Sequence, residues 1–195
     1  DVVVRVSEDH FITVDFCLQP LLDEAGRVTY LIPSATDITE RVRLEAEAVE
    51  QMKVEQAISR VLREGLSSPD LAGAGQTCLE VAMEITSSAF GFVGELNERG
   101  RFDTTFQVDP AWEACRIPRD QAVAQIRDME VRGIWGEVIK SNKTLITNDP
   151  SSHPASVGTP EGHPPIRCFL GVPLSPDKKA VGAICVANKL DGYTE

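Results

Sequence analysis

The sequence has no apolar run near the roughly 20 residues that a membrane-crossing helix needs, so no membrane insertion is expected. It is also short of basic residues. Lys and Arg number 19 against 30 Asp and Glu, for a net charge of −11. No cationic excess is left to neutralise phosphates, which argues against a nucleic-acid partner and against docking on an anionic membrane. The five cysteines, Cys17, Cys78, Cys115, Cys168 and Cys185, contain no C-x-x-C pair. That excludes a zinc knuckle and a dithiol redox motif, and it reads as reduced thiols in a cytoplasmic protein. No Ser-His-Asp arrangement, paired-carboxylate site or properly flanked Gly-rich phosphate loop is present. What remains is ordinary globular material, 42% hydrophobic and 25% charged over 195 residues, with ample core for one large or two small domains. A start at Asp1 and an end on "YTE" suggest a piece of a longer chain.

The first segment is strand-like. In "FITVDFCLQPLL", Ile12, Val14, Phe16 and Leu18 alternate with Thr13, Asp15, Cys17 and Gln19, the period of a half-buried strand. "DEAGR" is a turn cluster, and "VTYLIPSA" resumes the extended pattern, so a hairpin preceded by a short strand around Val2 to Val6 is predicted. From Asp37 the period changes. "DITERVRLEAEAVEQMKVEQAISRVLREGLSS" has neither Pro nor Gly until Gly65 and predicts a helix roughly 40 Å long, with Asp37 or Thr39 as its N-cap. Val42, Val49 and Met52 form an apolar stripe near coiled-coil spacing, which then drifts to Val54, Ile58 and Val61. A helix this long and this charged calls for a partner, and a parallel contact between two copies is the expectation.

A second helix, Leu71 to Ile85, places Leu71, Ala74, Cys78, Ala82 and Ile85 on one face. "AFGFVGELN" and "RFDTTFQVD" read as a strand pair, the second with Phe102, Thr104, Phe106 and Val108 on one face. Pro110 to Asn142 reads as mixed, ending in a short helix that buries Ile134, Trp135, Val138 and Ile139. "TLITND" is a short strand, and "SSHPASVGTPEGHPP" is a loop. "RCFLGVPL" and "AVGAICVANK" close the pattern around the turn "SPDKK". The order α-α-β-β-α-β-loop-β-β is that of an α+β domain with an antiparallel sheet and helices packed on it.

Two local resemblances join here. "PLLDEAGRVTYLIPSATDITERVRLEAEAVE" resembles the carboxy-terminal end of a PAS domain, where a hairpin leads through an Asp-Ile-Thr-Glu-Arg motif, residues 37–41, into an exit helix. Capping by Asp37 and Thr39 would give the sheet a grip on that helix. "IWGEVIKSNKTLITNDPSSHP", "PEGHPPIRCFLGVPL" and "AVGAICVANKLDGYTE" resemble the GAF domains of bacterial and archaeal sensor proteins. The resemblance implies truncated PAS strands over 1–36, a signalling linker helix over 37–66 and a GAF domain over 57–195 that lacks its last helix. It also implies a non-catalytic, dimeric regulatory fragment of a histidine kinase or diguanylate cyclase type protein, with a small-molecule pocket between sheet and loops.

The chemistry can then be weighed. His153 and His163 do not stand at a familiar metal-ligand spacing, and Asp149 and Glu161 are the only carboxylates nearby. No metal is expected, and the two imidazoles are read as shaping the loop. Asn188 and Lys189 resemble the Asn-Lys motif of cyclic-nucleotide-binding GAF domains, but Tyr193 stands where that motif has Phe. Cys168 lies near the strand that carries a bilin in chromophore-binding relatives, but Phe169 follows it instead of His. Haem through either loop histidine has no further support, so the cofactor is left unidentified. Pocket candidates are Phe92, Phe106, Trp135, Asp149, Arg167 and Cys168, with Arg167 as the donor for an anion or half of a surface ion pair. Two other readings stay open. The aromatic residues Phe90, Phe92, Phe106, Trp112 and Trp135 can fill the pocket of a ligand-free relay. Alternatively, Cys115 and Cys168 can serve a methionine sulfoxide reductase of GAF type.

Overall fold

A computed structural model describes residues 1–67, 71–107, 116 and 126–194. They form two compact units, Asp1–Glu55 and Gln56–Glu195. Among the described residues no helix is long and apolar enough to cross a membrane.

In the first unit the alternating segments become β1 (Val2–Ser7), β2 (His10–Leu22) and β3 (Val28–Asp37), an antiparallel meander in that order. The predicted "DEAGR" turn closes β2 onto β3, with Gly26 at φ 75° and the Asp23 carboxylate accepting from the amides of Ala25 and Arg27, each at 2.9 Å. Helix α1 (Thr39–Ser67) follows β3 at once. Asp37 Oδ1 accepts from the Thr39 amide at 2.9 Å, satisfying a donor of the first turn. The Thr39 hydroxyl oxygen accepts from the Thr13 amide of β2 at 2.8 Å. The same hydroxyl reaches the Thr13 carbonyl at 3.5 Å, and it stands close enough to the Asp37 carboxylate to help hold that group below its ordinary value. The helix start is thus fastened to the middle strand, with Ile38 and Val14 buried beside the joint. Further along the apolar sheet face Phe16, Leu18 and Leu31 are exposed.

The second unit holds α2 (Leu71–Thr86), β4 (Phe90–Leu96), β5 (Phe102–Gln107), α3 (Gly133–Ser141), β6 (Leu145–Thr147), β7 (Phe169–Leu174) and β8 (Gly182–Ala187). The strands make one antiparallel sheet in the order β5-β4-β8-β7-β6. Helix α2 covers one face, where Leu79, Val93, Val186, Cys168 and Tyr193 are buried together. Helix α3 covers the other, where Val138 and Ile139 pack with Phe102, Phe169, Ala183 and Cys185. Arg60, near the end of α1, bridges to Glu80 and Glu84 of α2 at 3.3 and 3.2 Å.

Two expectations about faces change. Helix α2 buries only part of the predicted stripe: Ala82 meets the sheet as expected, but the fully buried residue is Leu79, with Met83 also against the sheet, and Ile85 is 46% exposed. Gly75 sits against Val93, and with no side chain there the helix settles on the 75-79-82 side, centred about 70° round from Cys78. Strand β5 also fails to keep Phe102 and Phe106 on one face. Val93 pairs with Phe106 and Gly94 with Thr104, so Thr105 is an extra residue, and a bulge of this kind reverses the alternation beyond it. Phe102 packs under α3 and Phe106 under α2. Val108, and residues 110–115 and 117–125 of the segment expected to be helical in pieces, lie outside the described residues.

Candidate functional site

The α3 face of the sheet carries an aromatic group. Phe102 is fully buried, its ring edge-on to Phe92 at 5.9 Å and tilted against Trp135 at 4.9 Å. Met129 packs against the same cluster. Met129 is held there because its segment pairs backbone to backbone with Phe102. The Asp103 carboxylate accepts from the Asp128 amide at 2.6 Å. That bond, with the Asn97 side chain behind it, holds the Asp103 carboxyl below the ordinary carboxylate value.

The loop from Asn148 to Arg167 runs between β6 and β7 and is shaped by its own side chains. Asp149 accepts from the Ser151 hydroxyl at 2.7 Å and the Ser152 amide at 3.3 Å. Bonds from Ser152 first, and then Ser151, keep its carboxyl low. His153 Nδ1 accepts from the Ala155 amide at 3.1 Å, which puts that ring's proton on Nε2. His163 Nδ1 lies 2.7 Å from the Pro164 carbonyl. A carbonyl only accepts, so this imidazole is protonated on Nδ1. The two histidines therefore use Nδ1 in opposite senses, one accepting and one donating, each bonded to loop backbone. Among the described residues no three His, Cys, Asp or Glu side chains converge on a point where a metal could sit.

Where the loop rejoins the sheet there is a cleft of about 460 Å³, bordered by Ser87, Asn148, Arg167, Cys168, Lys189 and Asp191. Asn188, at φ 61°, is a turn residue. Its Oδ1 accepts from the Arg167 amide at 2.7 Å and its Nδ2 donates to the Pro165 carbonyl at 2.9 Å. The Cys168 thiol donates to the Lys189 carbonyl at 3.3 Å. Cys185, wholly enclosed in the core, has its thiol pushed far up by burial.

The six pocket candidates do not share one cavity. Phe92 and Trp135 belong to the α3 face, while Phe106 and Cys168 belong to the α2 face. Cys168 points away from Phe169 because neighbouring strand residues alternate. Asp149 and Arg167 stand at opposite ends of the loop, both exposed. Trp112 and Cys115 lie outside the described residues. Sequence reading placed Phe102 only on a strand face and weighed Tyr193 only against the Asn-Lys motif, naming neither as a site residue, and it passed over Asn148 and Ser88, for which no local pattern exists.

An antiparallel five-stranded sheet with a helix on each face and a long shaped loop between β6 and β7 defines an α+β module. Residues 68–195 match the family model of the GAF domain, and the chain belongs to that family. A methyl sulfide methyltransferase-associated sensor of Methanosarcina acetivorans is 27% identical over 180 residues. That alignment covers 90% of this chain and 17% of the sensor, so the chain spans about a sixth of that relative. Among solved structures, the GAF domain from a Coxiella burnetii phosphoenolpyruvate-protein phosphotransferase is 17% identical. It covers 74% of this chain and 83% of its own, with a TM-score of 0.61. A free methionine-R-sulfoxide reductase from Neisseria meningitidis, solved with its substrate, is 18% identical. It covers 72% of this chain and 74% of its own, with a TM-score of 0.54. Both share the fold.

Proposed function

We propose that this chain is the regulatory sensor part of a cytoplasmic signal-transduction protein. Its GAF domain binds a small molecule, and α1 carries the change across a dimer of parallel helices to a histidine kinase or diguanylate cyclase type output. The three-stranded sheet is the end of a PAS domain, and its grip on α1 through Asp37, Thr39 and Thr13 is what a relay requires. The observation that carries this reading is the alignment with a sensor across 180 residues, sheet, helix and GAF domain together. The mechanism is a population shift, in which an occupant favours one packing of the sheet and helices over another. Native mass spectrometry of the protein as purified tests it. A retained small molecule, or a mass increment on exposure to a metabolite extract, is expected. A protein that stays empty throughout counts for the second reading, a ligand-free relay, which the full burial of Phe102 between Phe92 and Trp135 favours.

The fragment is non-catalytic in this proposal. A reductase acting on free methionine sulfoxide needs an accessible thiolate, whereas Cys168 is buried and donates to a backbone carbonyl. Incubation with free methionine-R-sulfoxide and a dithiol reductant is expected to give no methionine. Turnover would reverse the assignment.

A further inference from the structure

We infer that Asn148 and Tyr193 form a joint through which the state of the 148–167 loop is read by helix α2. The purpose assigned to the joint rests on the sensor reading; its existence does not. Both ends of the loop are bonded to one short turn, 188–193. At the far end Asn188 holds Pro165 and Arg167, as described. At the near end Asn148 treats Tyr193 as a strand neighbour would: Oδ1 accepts from the Tyr193 amide at 2.9 Å and Nδ2 donates to the Tyr193 carbonyl at 3.0 Å. Gly192, at φ 76°, leaves room for this, because a Cβ there would lie 2.6 Å from Asn148 Oδ1.

The Tyr193 side chain reaches the other way. Its hydroxyl is 2.6 Å from Ser88 Oγ, which is 2.6 Å from Thr86 Oγ1, which donates to the Ala82 carbonyl at 2.6 Å. Each hydroxyl has one proton and the carbonyl can only accept, so the direction of the whole chain is determined. Tyr193 donates to Ser88, Ser88 to Thr86 and Thr86 to Ala82. The ring is buried against Leu79 and Cys168, and a chain of this kind strengthens itself where water is excluded. Moving the near end of the loop therefore drags the Tyr193 backbone, and the phenol transfers that displacement to the last turn of α2. Helix α2 is in turn bridged to Arg60 of α1.

Amide hydrogen exchange on the whole chain, with no ligand added, tests the joint. Asn148→Ala is expected to lower protection of the Ser87 and Ser88 amides, which bond to Glu84 and Met83, by about tenfold. The turn at Asn97–Arg101 keeps its protection. In a Tyr193→Phe background, which keeps the backbone clamp and cuts the hydroxyl chain, Asn148→Ala no longer alters α2. Unchanged α2 protection in Asn148→Ala, or an equal loss when Asn148→Ala is combined with Tyr193→Phe, overturns the proposal. Should Asn148→Ala unfold, Asn148→Asp keeps one of the two clamp bonds and is expected to give a smaller loss at the same amides; no loss there overturns it equally. The readout needs no ligand, so an empty GAF domain leaves it standing. Conversely, a failed joint leaves ligand retention in native mass spectrometry untouched.

Discussion

Thr105 is one extra residue in β5, and it decides which aromatic rings share a face: Phe102 turns toward α3 and Phe106 toward α2. Opposite it, Gly94 has no side chain for a physical reason. A Cβ there would overlap the Asp103 carbonyl and the Phe102 ring. Gly94→Ala is therefore expected to cost about 1–3 kcal/mol, read as a shift of the urea midpoint at constant slope. Asp37 offers a second test. The Thr39 hydroxyl, then the Thr39 amide, hold its carboxyl below the ordinary value of 3.8. A depressed carboxylate stabilises the folded state fully above the ordinary value, and the contribution is lost as pH falls through the lower folded one. Thr39→Val is expected to move the Asp37 titration back up, followed by the side-chain carboxyl signal in NMR. A titration that does not move would mean that the hydroxyl plays no part.

Helix α1 is held together locally by exposed pairs such as Arg43–Glu47 and Lys53–Glu50, each adding only about 0.2–0.5 kcal/mol. Such pairs do not explain a 29-residue helix whose Leu44, Val49, Met52, Ile58 and Leu62 are half or more exposed. The proposed dimer covers the part of this surface that carries Val49 and Met52. Met52→Glu is expected to shift the mass from two copies toward one in light scattering at micromolar concentration, and a monomeric parent protein would remove the dimer from the proposal. Helix α2 illustrates a different lesson. Its face is chosen by Gly75 against Val93 and by Leu79 in the sheet, a choice between two neighbouring apolar stripes that its own periodicity leaves open.

Across the second unit, the two faces of one sheet carry two cores. The α3 core depends on Phe102, which touches both Phe92 and Trp135. Phe102→Ala is expected to cost about 3–5 kcal/mol, measured by chemical denaturation with Trp fluorescence. A loss under about 1 kcal/mol would mean that the ring group is loosely packed and that the face is open to a ligand. The α2 core carries Cys168, Tyr193 and the cleft beside Arg167, so the loop that ends at Arg167 borders one face and is anchored on the other.

Periodicity was enough to read the strands, the long helix, the hairpin turn at Gly26 and the GAF-like order of elements. These features arise from contacts between near neighbours in the chain, where spacing alone separates a helix from a strand. The same reading grouped Phe92, Phe106, Trp135, Asp149, Arg167 and Cys168 into one pocket, and the folded chain distributes them over two sheet faces and two loop ends. A single bulge reverses alternation without leaving a mark in composition. Tyr193 meets Ser88 across 105 positions and Asn148 across 45. No local pattern encodes a hydrogen bond between residues that far apart, because only the closing of the sheet brings them within reach.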